Sequence, residues 1–527
     1  MFGVLLPQSN MLSLSIHEGA SSIQNFTIAA GIVMLIIGIF RVSFRGQPLP
    51  LPPGPKGYPI IKNAFDVPPK HAWLKYHEWS KHLGDVLHLS AGGQSIIVLN
   101  SARAIYELLE GRSAIYSDRP WTAMTYEVGY QDSPVLTPSG PRHRTFRRLS
   151  SEVLGPRQVQ EWRPLQEQKV QILVRGLLDS PQSFWAHIRR YTASLLLELS
   201  HGQVIQGDDD PFLKVAQEIN NDFSELAVPG RYLVDIFPGL RFLPSWVGLA
   251  SKKRAISARK IVKQGLRWTY RQVENQVANG TARPSFAASL IERNTNPSQE
   301  EIYIHQWVSL VTYTAGGDTS LSALTSFFLA MALNPDKQRK AQAEIDRVVG
   351  FGNRPTFGHR PNLQYVESLI KEVYRLNPAF PMALPHALNS KTDDEYRGWR
   401  IPKGSTVIAN TWAVLHDANL YLSPFEFLPE RYLEVQSSGE DSLKEPAAHT
   451  EAAEMNPDPR KFAFGYGRRS CPGQYLIDDT IFIAVATVLA LFDIGPLTSG
   501  SVPRYTPYVI SQPEAFACTI APRTKAD

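Results

Sequence analysis

The sequence predicts a mainly α fold with a small β portion, preceded by one apolar segment suited to a transmembrane helix. Three observations predict it. Apolar residues recur at i, i+3 and i+4 over long stretches, alternating stretches are few and short, and residues 26–40 (FTIAAGIVMLIIGIF) carry no charge. The helical pattern is clearest over Gln166 to Leu178, Thr192 to His201, Ile302 to Leu333, Asp336 to Val349 and Leu363 to Leu376. Strands are expected at Val86 to Leu89 and Ser95 to Leu99, flanking a Gly92-Gly93 turn, and at Thr406 to Ala409 after the turn Pro402-Lys403-Gly404.

Composition narrows the function classes. With 527 residues, 43% hydrophobic and 20% charged, the chain is an ordinary globular protein large enough to enclose a cofactor. A formal charge of +5 is too small to imply nucleic-acid binding. Its basic residues cluster locally, as at Arg142, Arg144, Arg147 and Arg148. Two cysteines, Cys471 and Cys518, cannot build a disulfide framework or a structural zinc site, which places the folded body in a reducing compartment.

Residues 1–25 form a short leading segment, and residues 26–44 are the anchor, close to the roughly 20 apolar residues that span a bilayer. Arg41 and Arg45 follow it, so the positive-inside rule puts the first segment in the lumen and the rest in the cytosol. A cleaved signal peptide is the weaker reading, because no basic region precedes the apolar run and no small-x-small cleavage site clearly follows it. The sequon at Asn25 then abuts the membrane and is expected to be unglycosylated. Residues 45–60 are a stiff proline-rich hinge, and 61–527 read as one catalytic domain interrupted by a polar surface insertion, Gln436 to Pro457.

The sharpest chemical signal is Phe464-Gly465-Tyr466-Gly467-Arg468-Arg469-Ser470-Cys471-Pro472-Gly473, a cysteine in a glycine-rich loop just ahead of an apolar helical pattern from Tyr475 to Leu491. The glycines let backbone approach a flat ligand, and backbone N–H groups near the sulfur stabilise a thiolate. A lone cysteine would otherwise be read as a small buried hydrophobe. The stretch resembles the cytochrome P450 haem loop, F-G-x-G-x-R-x-C-x-G, at every defined position. The resemblance implies a cytochrome P450 fold and haem b. It also implies Cys471 as axial iron ligand, Arg469 as a propionate partner, and Phe464, Gly465 and Gly473 as cofactor contacts. A thiolate ligand favours O–O cleavage.

Three further segments fit the same family. Glu372 and Arg375 share a helix face, a spacing that by itself suggests a weak surface pair. Pro429-Glu430-Arg431-Tyr432 resembles the family's P-E-R-F element, so Glu372, Arg375 and Arg431 are expected to form a structural Glu-Arg-Arg cluster. Ala315-Gly316-Gly317-Asp318-Thr319-Ser320 interrupts the longest helix with two glycines, each costing about 1 kcal/mol relative to alanine. It resembles the oxygen-activation motif, which implies that Gly316 makes room for haem and dioxygen while Asp318 and Thr319 deliver protons. Pro141 to Arg148 resembles the W-x-x-x-R helix: Arg147 keeps its place as a propionate contact, whereas His143 stands where tryptophan is usual, its tautomer and charge open. His386 also resembles a propionate ligand, an exposed loop histidine being the alternative.

The implied activity is monooxygenation of a lipophilic small molecule with dioxygen and electrons from an NADPH-cytochrome P450 reductase, at the endoplasmic reticulum membrane. Arg283-Pro284-Ser285-Phe286 and Ala409 to Ala413 resemble fungal members that tailor terpenoids, polyketides or alkaloids. The candidate substrate wall is Trp121, Met124, Tyr126, Thr312, Tyr313, Ala383, Leu384 and Val509, any of which singly reads equally as core. The alternatives are a reductase-independent isomerase, dehydratase or coupling enzyme, against which Asp318 and Thr319 speak, and a non-catalytic haem sensor or electron-transfer protein.

Overall fold

The computed structural model describes residues 49–59, 62–205, 207, 209–226, 232–243, 250–433, 455–498 and 502–524. The anchor 26–44 and most of the insertion 436–457 lie outside them. Eleven helices of eight residues or more carry the described fold: α1 Ala72–Leu83, α2 Pro141–Leu154, α3 Arg163–Asp179, α4 Phe184–His201, α5 Pro211–Leu226, α6 Ala250–Ala278, α7 Phe286–Arg293, α8 Gln299–Leu333, α9 Pro335–Val348, α10 Gln364–Leu376 and α11 Gln474–Leu491. The strands are β1 Val86–Ala91, β2 Gln94–Leu99, β3 His386–Ala387, β4 Asp394–Tyr396, β5 Trp399–Ile401, β6 Thr406–Ala409, β7 Phe492–Leu497 and β8 Cys518–Pro522. The mainly α expectation holds, and every helix and strand expected within the described residues has its counterpart.

Local chemistry sets the boundaries. α8 starts in a capping box, Ser298 accepting from the Glu301 N–H while the Glu301 carboxylate accepts from the Ser298 N–H at 2.8 Å. It ends at Asn334, where Pro335 opens α9. From Leu49 to Gly57 the proline-rich stretch forms no helix. The Pro53 carbonyl accepts from the His88 N–H at 2.8 Å, and a Cβ on Gly54 would strike the His88 carbonyl oxygen at 1.9 Å.

The larger sheet runs β1-β2-β6-β3. β1 and β2 form the expected hairpin, β6 pairs parallel to β2, and β3 pairs antiparallel to β6 with His386 opposite Val407. Asp118 bridges to Ala387, which brings the Asp118-Arg119 segment beside His386. Residues 394–401, with 49–51, form a separate small unit. It is a β4–β5 hairpin closed by Arg397 and Gly398, both at positive φ, the geometry of a two-residue hairpin turn.

α8 threads both principal cores. Its first half packs Ile304, Trp307, Val308, Leu310 and Tyr313 with residues of α2, α4, α5 and α6. Its second half, from Leu321 to Met331, packs with α3, α10 and α11. Between the halves lies Ala315 to Thr319, where the helix meets a cavity. α11 is long and apolar enough to cross a membrane, but Leu476 to Ala490 is almost wholly buried among the core helices.

The Glu372–Arg375 pair is no surface contact. Both residues are fully buried, and Arg375 Nε and Nη2 donate to the two Glu372 oxygens at 2.8 Å each. Arg375 also donates to the Leu415, Pro424 and Glu426 carbonyls. Arg431 Nε reaches the same carboxylate at 3.1 and 3.2 Å, and the Leu428 N–H donates to it at 3.0 Å. One carboxylate therefore ties α10 to the irregular segment 415–431. Glu372→Gln leaves two buried guanidiniums without their counter-charge and is expected to cost about 3–5 kcal/mol. Glu78→Gln, at the exposed i,i+3 pair with Lys75, should leave stability unchanged. Urea-unfolding midpoints decide it: equal shifts for the two variants would contradict the buried-cluster account.

Candidate functional site

A cavity of about 320 Å³ lies between α2, α5, α8, the start of α11 and the segments carrying Arg119, Ala383 and Cys471. Its lining contains Cys471, Arg469, Arg147, His386, Phe464, Gly465, Gly473, Gly316, Asp318, Thr319, Thr312, Ala383 and Leu384. The expected cofactor and catalytic residues, scattered over the chain, thus share one cavity. Trp121, Met124, Tyr126, Tyr313 and Val509 are not among the lining residues. Met124 and Tyr313 are buried in the apolar core, Tyr126 is half exposed with the Trp121 ring tilted against it at 6.0 Å, and Ile510 lines the cavity where Val509 was expected. Sequence reasoning missed Tyr130, Phe146, Phe223, Trp307 and Phe380 on the same wall.

The cysteine loop is shaped by backbone. The Cys471 N–H donates to the Phe464 carbonyl at 2.7 Å, closing the loop on itself. Gly465 and Gly467 both sit at positive φ, and a Cβ on Gly467 would meet the Leu109 carbonyl oxygen at 2.3 Å. Burial pushes the Cys471 thiol up, while the Gly473 N–H and the Arg147 charge pull it down.

One wall gathers positive charge. Arg469 donates through Nε to the Ser117 carbonyl and through Nη2 to the Thr137 carbonyl, both at 2.7 Å, and its buried Nη1 has no acceptor. Arg147 Nη1 donates to the Ser470 carbonyl at 2.6 Å. Arg119, which sequence reasoning did not single out, donates to the Val135, Leu384 and Pro385 carbonyls. It follows Asp118 in irregular chain, where no spacing marks it. Burial and neighbouring positive charge bring Arg119 down to about 9; burial, with Arg147 beside it, brings Arg469 down to about 10.

The same field settles His143. Burial and four arginines hold it down to about 4, so it is neutral at physiological pH and has one N–H to donate. His386 is buried, not an exposed loop residue; it is held down to about 3, and its Nδ1 lies 2.7 Å from the Tyr116 carbonyl. That bond requires an N–H at Nδ1, leaving Nε2 as an acceptor until a carboxylate nearby raises its affinity for a proton.

Gly316 lines the cavity and also sits at a close helix contact. A Cβ there would meet Leu196 Cδ1 at 2.8 Å, so the missing side chain admits α4 against α8; a Cβ on Gly317 would meet nothing within 4 Å. Thr319 Oγ1 donates to the Ala315 carbonyl at 3.0 Å. Asp318 Oδ2 accepts from Asn220 Nδ2 at 3.3 Å, and burial raises its affinity for a proton against the pull of Arg189 and Asn220.

This chemistry fits an iron porphyrin: a cysteine sulfur at a cavity wall, and buried guanidiniums, one with an unused N–H, for the acid groups at its edge. Residues 52–518 match the family model for cytochrome P450. The chain belongs to the cytochrome P450 family. It is 37% identical to cytochrome P450 monooxygenase 208 of Postia placenta, over 94% of this chain and 95% of that protein. A cytochrome P450 monooxygenase of Coprinopsis cinerea is also 37% identical, over 95% and 93% of the two chains. The tryptamine 4-monooxygenase of Psilocybe cyanescens is 36% identical over 90% and 93%. The protein is therefore a monooxygenase of the P450 family, whose cofactor is a haem-thiolate iron. The reduced, CO-bound protein is expected to show the strongly red-shifted Soret band of thiolate-ligated haem, and Cys471→Ala to abolish it. An unchanged spectrum in that variant would remove Cys471 from the iron.

Proposed function

We propose that this P450 takes electrons from NADPH through a cytochrome P450 reductase and hydroxylates or epoxidises a lipophilic small molecule, a fungal secondary metabolite of terpenoid, polyketide or alkaloid type. The observation that carries this is that Cys471, the arginine wall and the Asp318–Thr319 pair line one largely apolar cavity. Haem b, when bound, would supply dioxygen activation, with the Cys471 thiolate holding its iron. Arg119, Arg147 and Arg469 would hold its propionates, with His143 donating its remaining N–H. Tyr130, Phe146, Trp307 and Phe380 offer apolar and aromatic surface to the substrate. The alkaloid option is supported by the relative named tryptamine 4-monooxygenase.

Asp318, its carboxyl raised by burial and steadied by Asn220, is suited to pick up a proton and pass it along α8 to the Thr319 hydroxyl. Thr319 directs it into the cavity. Thr319→Ala should therefore keep haem and NADPH consumption while shifting yield from oxidised product toward hydrogen peroxide, and Thr319→Ser should recover most of the coupling. If Thr319 merely relaxed a glycine-weakened helix, alanine would be harmless or stabilising. Product and peroxide formed per NADPH distinguish the two accounts.

The catalytic body works at the endoplasmic reticulum membrane, held there by residues 26–44. Deleting residues 1–45 should release much of the protein from membranes with its haem intact, measured as haem per polypeptide in the soluble fraction. Release without haem would count against an anchor separate from the catalytic body.

A further inference from the structure

The cysteine loop is gripped from outside by a segment that no motif marks. The short helix Ala102–Ile105 passes into a single π-helical turn, Tyr106–Glu110, closed by the Gly111 N–H on the Tyr106 carbonyl at 2.9 Å. Such turns are rare and occur frequently at functional sites. This one buries Leu108 and Leu109 completely and leaves Glu110 at the surface, against the cysteine loop.

Two contacts join the turn to Gly467, 357 residues further on from Glu110. The Leu109 carbonyl occupies the space where a side chain on Gly467 would begin, and the Gly467 N–H donates to Glu110 Oε1 at 2.7 Å, the short length of a charge-assisted bond. Gly467 opens the 3-10 turn Gly467–Arg469, and Tyr466 before it supplies no side-chain cap, so the loop itself offers this N–H no acceptor. The Gly467 carbonyl in turn accepts from the Ser470 N–H at 3.2 Å, and Ser470 immediately precedes the cysteine. A carboxylate on a peptide N–H polarises that peptide and strengthens its carbonyl as an acceptor. On the other side Arg147 Nη1 holds the Ser470 carbonyl at 2.6 Å. The backbone ahead of Cys471 is thus fixed at both ends.

We propose that Glu110 is a positioning residue for the iron ligand: by capping the Gly467 N–H it holds the turn 467–470 in the shape that keeps the Cys471 thiolate on the iron. The inference rests on Cys471 as the axial ligand and is independent of the proposed substrate class. Glutamine at position 110 keeps an oxygen acceptor at the same reach and loses the charge, whereas alanine loses both. Glu107, on the same turn, pairs instead with Arg103 at 2.9 Å and provides the control for lost surface charge.

The test compares full-length holoprotein of the wild type, Glu110→Ala, Glu110→Gln and Glu107→Ala by two measurements. One is hydrogen–deuterium exchange of peptides covering residues 464–473. The other is the decay of the red-shifted CO-bound Soret band in urea held below the onset of unfolding, as judged by helical circular dichroism, so that a general loss of stability does not move it. In Glu110→Ala both loop exchange and band decay are expected to quicken about fivefold, the worth of one charge-assisted hydrogen bond at a partly exposed site. Glu110→Gln, with a neutral bond of roughly half the strength, should stay within about twofold of the wild type, and Glu107→Ala should match it. Exchange is read on the polypeptide alone, so the cap is judged whichever residue ligates the iron. Equal exchange in the wild type and Glu110→Ala overturns the cap. Faster exchange with unchanged band decay overturns its hold on the ligand, and equal quickening in Glu107→Ala overturns both by tracing the effect to surface charge.

Discussion

Buried positive charge with too little negative charge around it is the constraint on which this structure hangs. Arg119, Arg147 and Arg469 converge on one wall of the haem cavity, and Asp118 is the carboxylate that offsets Arg119 and Arg469. The side-chain hydrogen bonds these arginines donate end on backbone carbonyls, at Ser117, Val135, Thr137, Leu384, Pro385 and Ser470. Carbonyl dipoles orient a guanidinium without neutralising it. The arginines therefore act as cross-links between chain segments far apart in sequence, while their charge remains to depress His143 and His386. A buried charge costs several kcal/mol unless paired. The wall is complete only with an acidic ligand, and the propionates of a haem are such a ligand.

The Glu372 cluster solves the same problem in the opposite way. There the carboxylate is internal, both guanidiniums reach it, and spare N–H groups end on carbonyls. It is electrostatically closed. The contrast separates structural from ligand-binding arginines without reference to any motif: Arg375 has its counter-ion within the chain, whereas Arg469 has a buried nitrogen without an acceptor. α8 joins the two regions, its upper half packed beside α10 and its glycine-marked middle open to the cavity.

Much of this was legible in the sequence, for reasons that can be named. Long helices with bulky apolar stripes, such as α8 and α10, announce themselves by period, and the cysteine loop does so because its glycines are demanded by backbone: Gly467 abuts the Leu109 carbonyl and no other residue fits. α6 was not singled out, because the buried face that continues through Val262, Leu266, Tyr270 and Val273 begins with the small residues Ala255 and Ala258 and is set among long runs of charge. β7 escaped because Gly495 and Pro496 interrupt it, and the β-bulge between Ile494 and Leu497 absorbs them. Arg119 was invisible for a different reason. It lies in a segment without period, and its importance arises only when β3 pairs with Asp118 and draws the chain to the cavity.

The substrate wall was the least legible part, and the errors show why. Thr312 lines the cavity while Tyr313, one residue on, is buried in the core; Ile510 lines it while Val509 does not. On a helix one residue is a rotation of about 100°, so neighbouring apolar side chains of equal hydrophobicity face a ligand or a packing partner according to the helix's rotation alone. Motif residues escape that ambiguity, since charge, a thiol or the lack of a Cβ gives each a chemistry that only one environment satisfies. An apolar wall has no such signature: Phe146 counts equally as core and as cavity lining, because it is both. Family and cofactor chemistry are therefore written in residues that few positions can use, and substrate choice in residues that almost any buried position can.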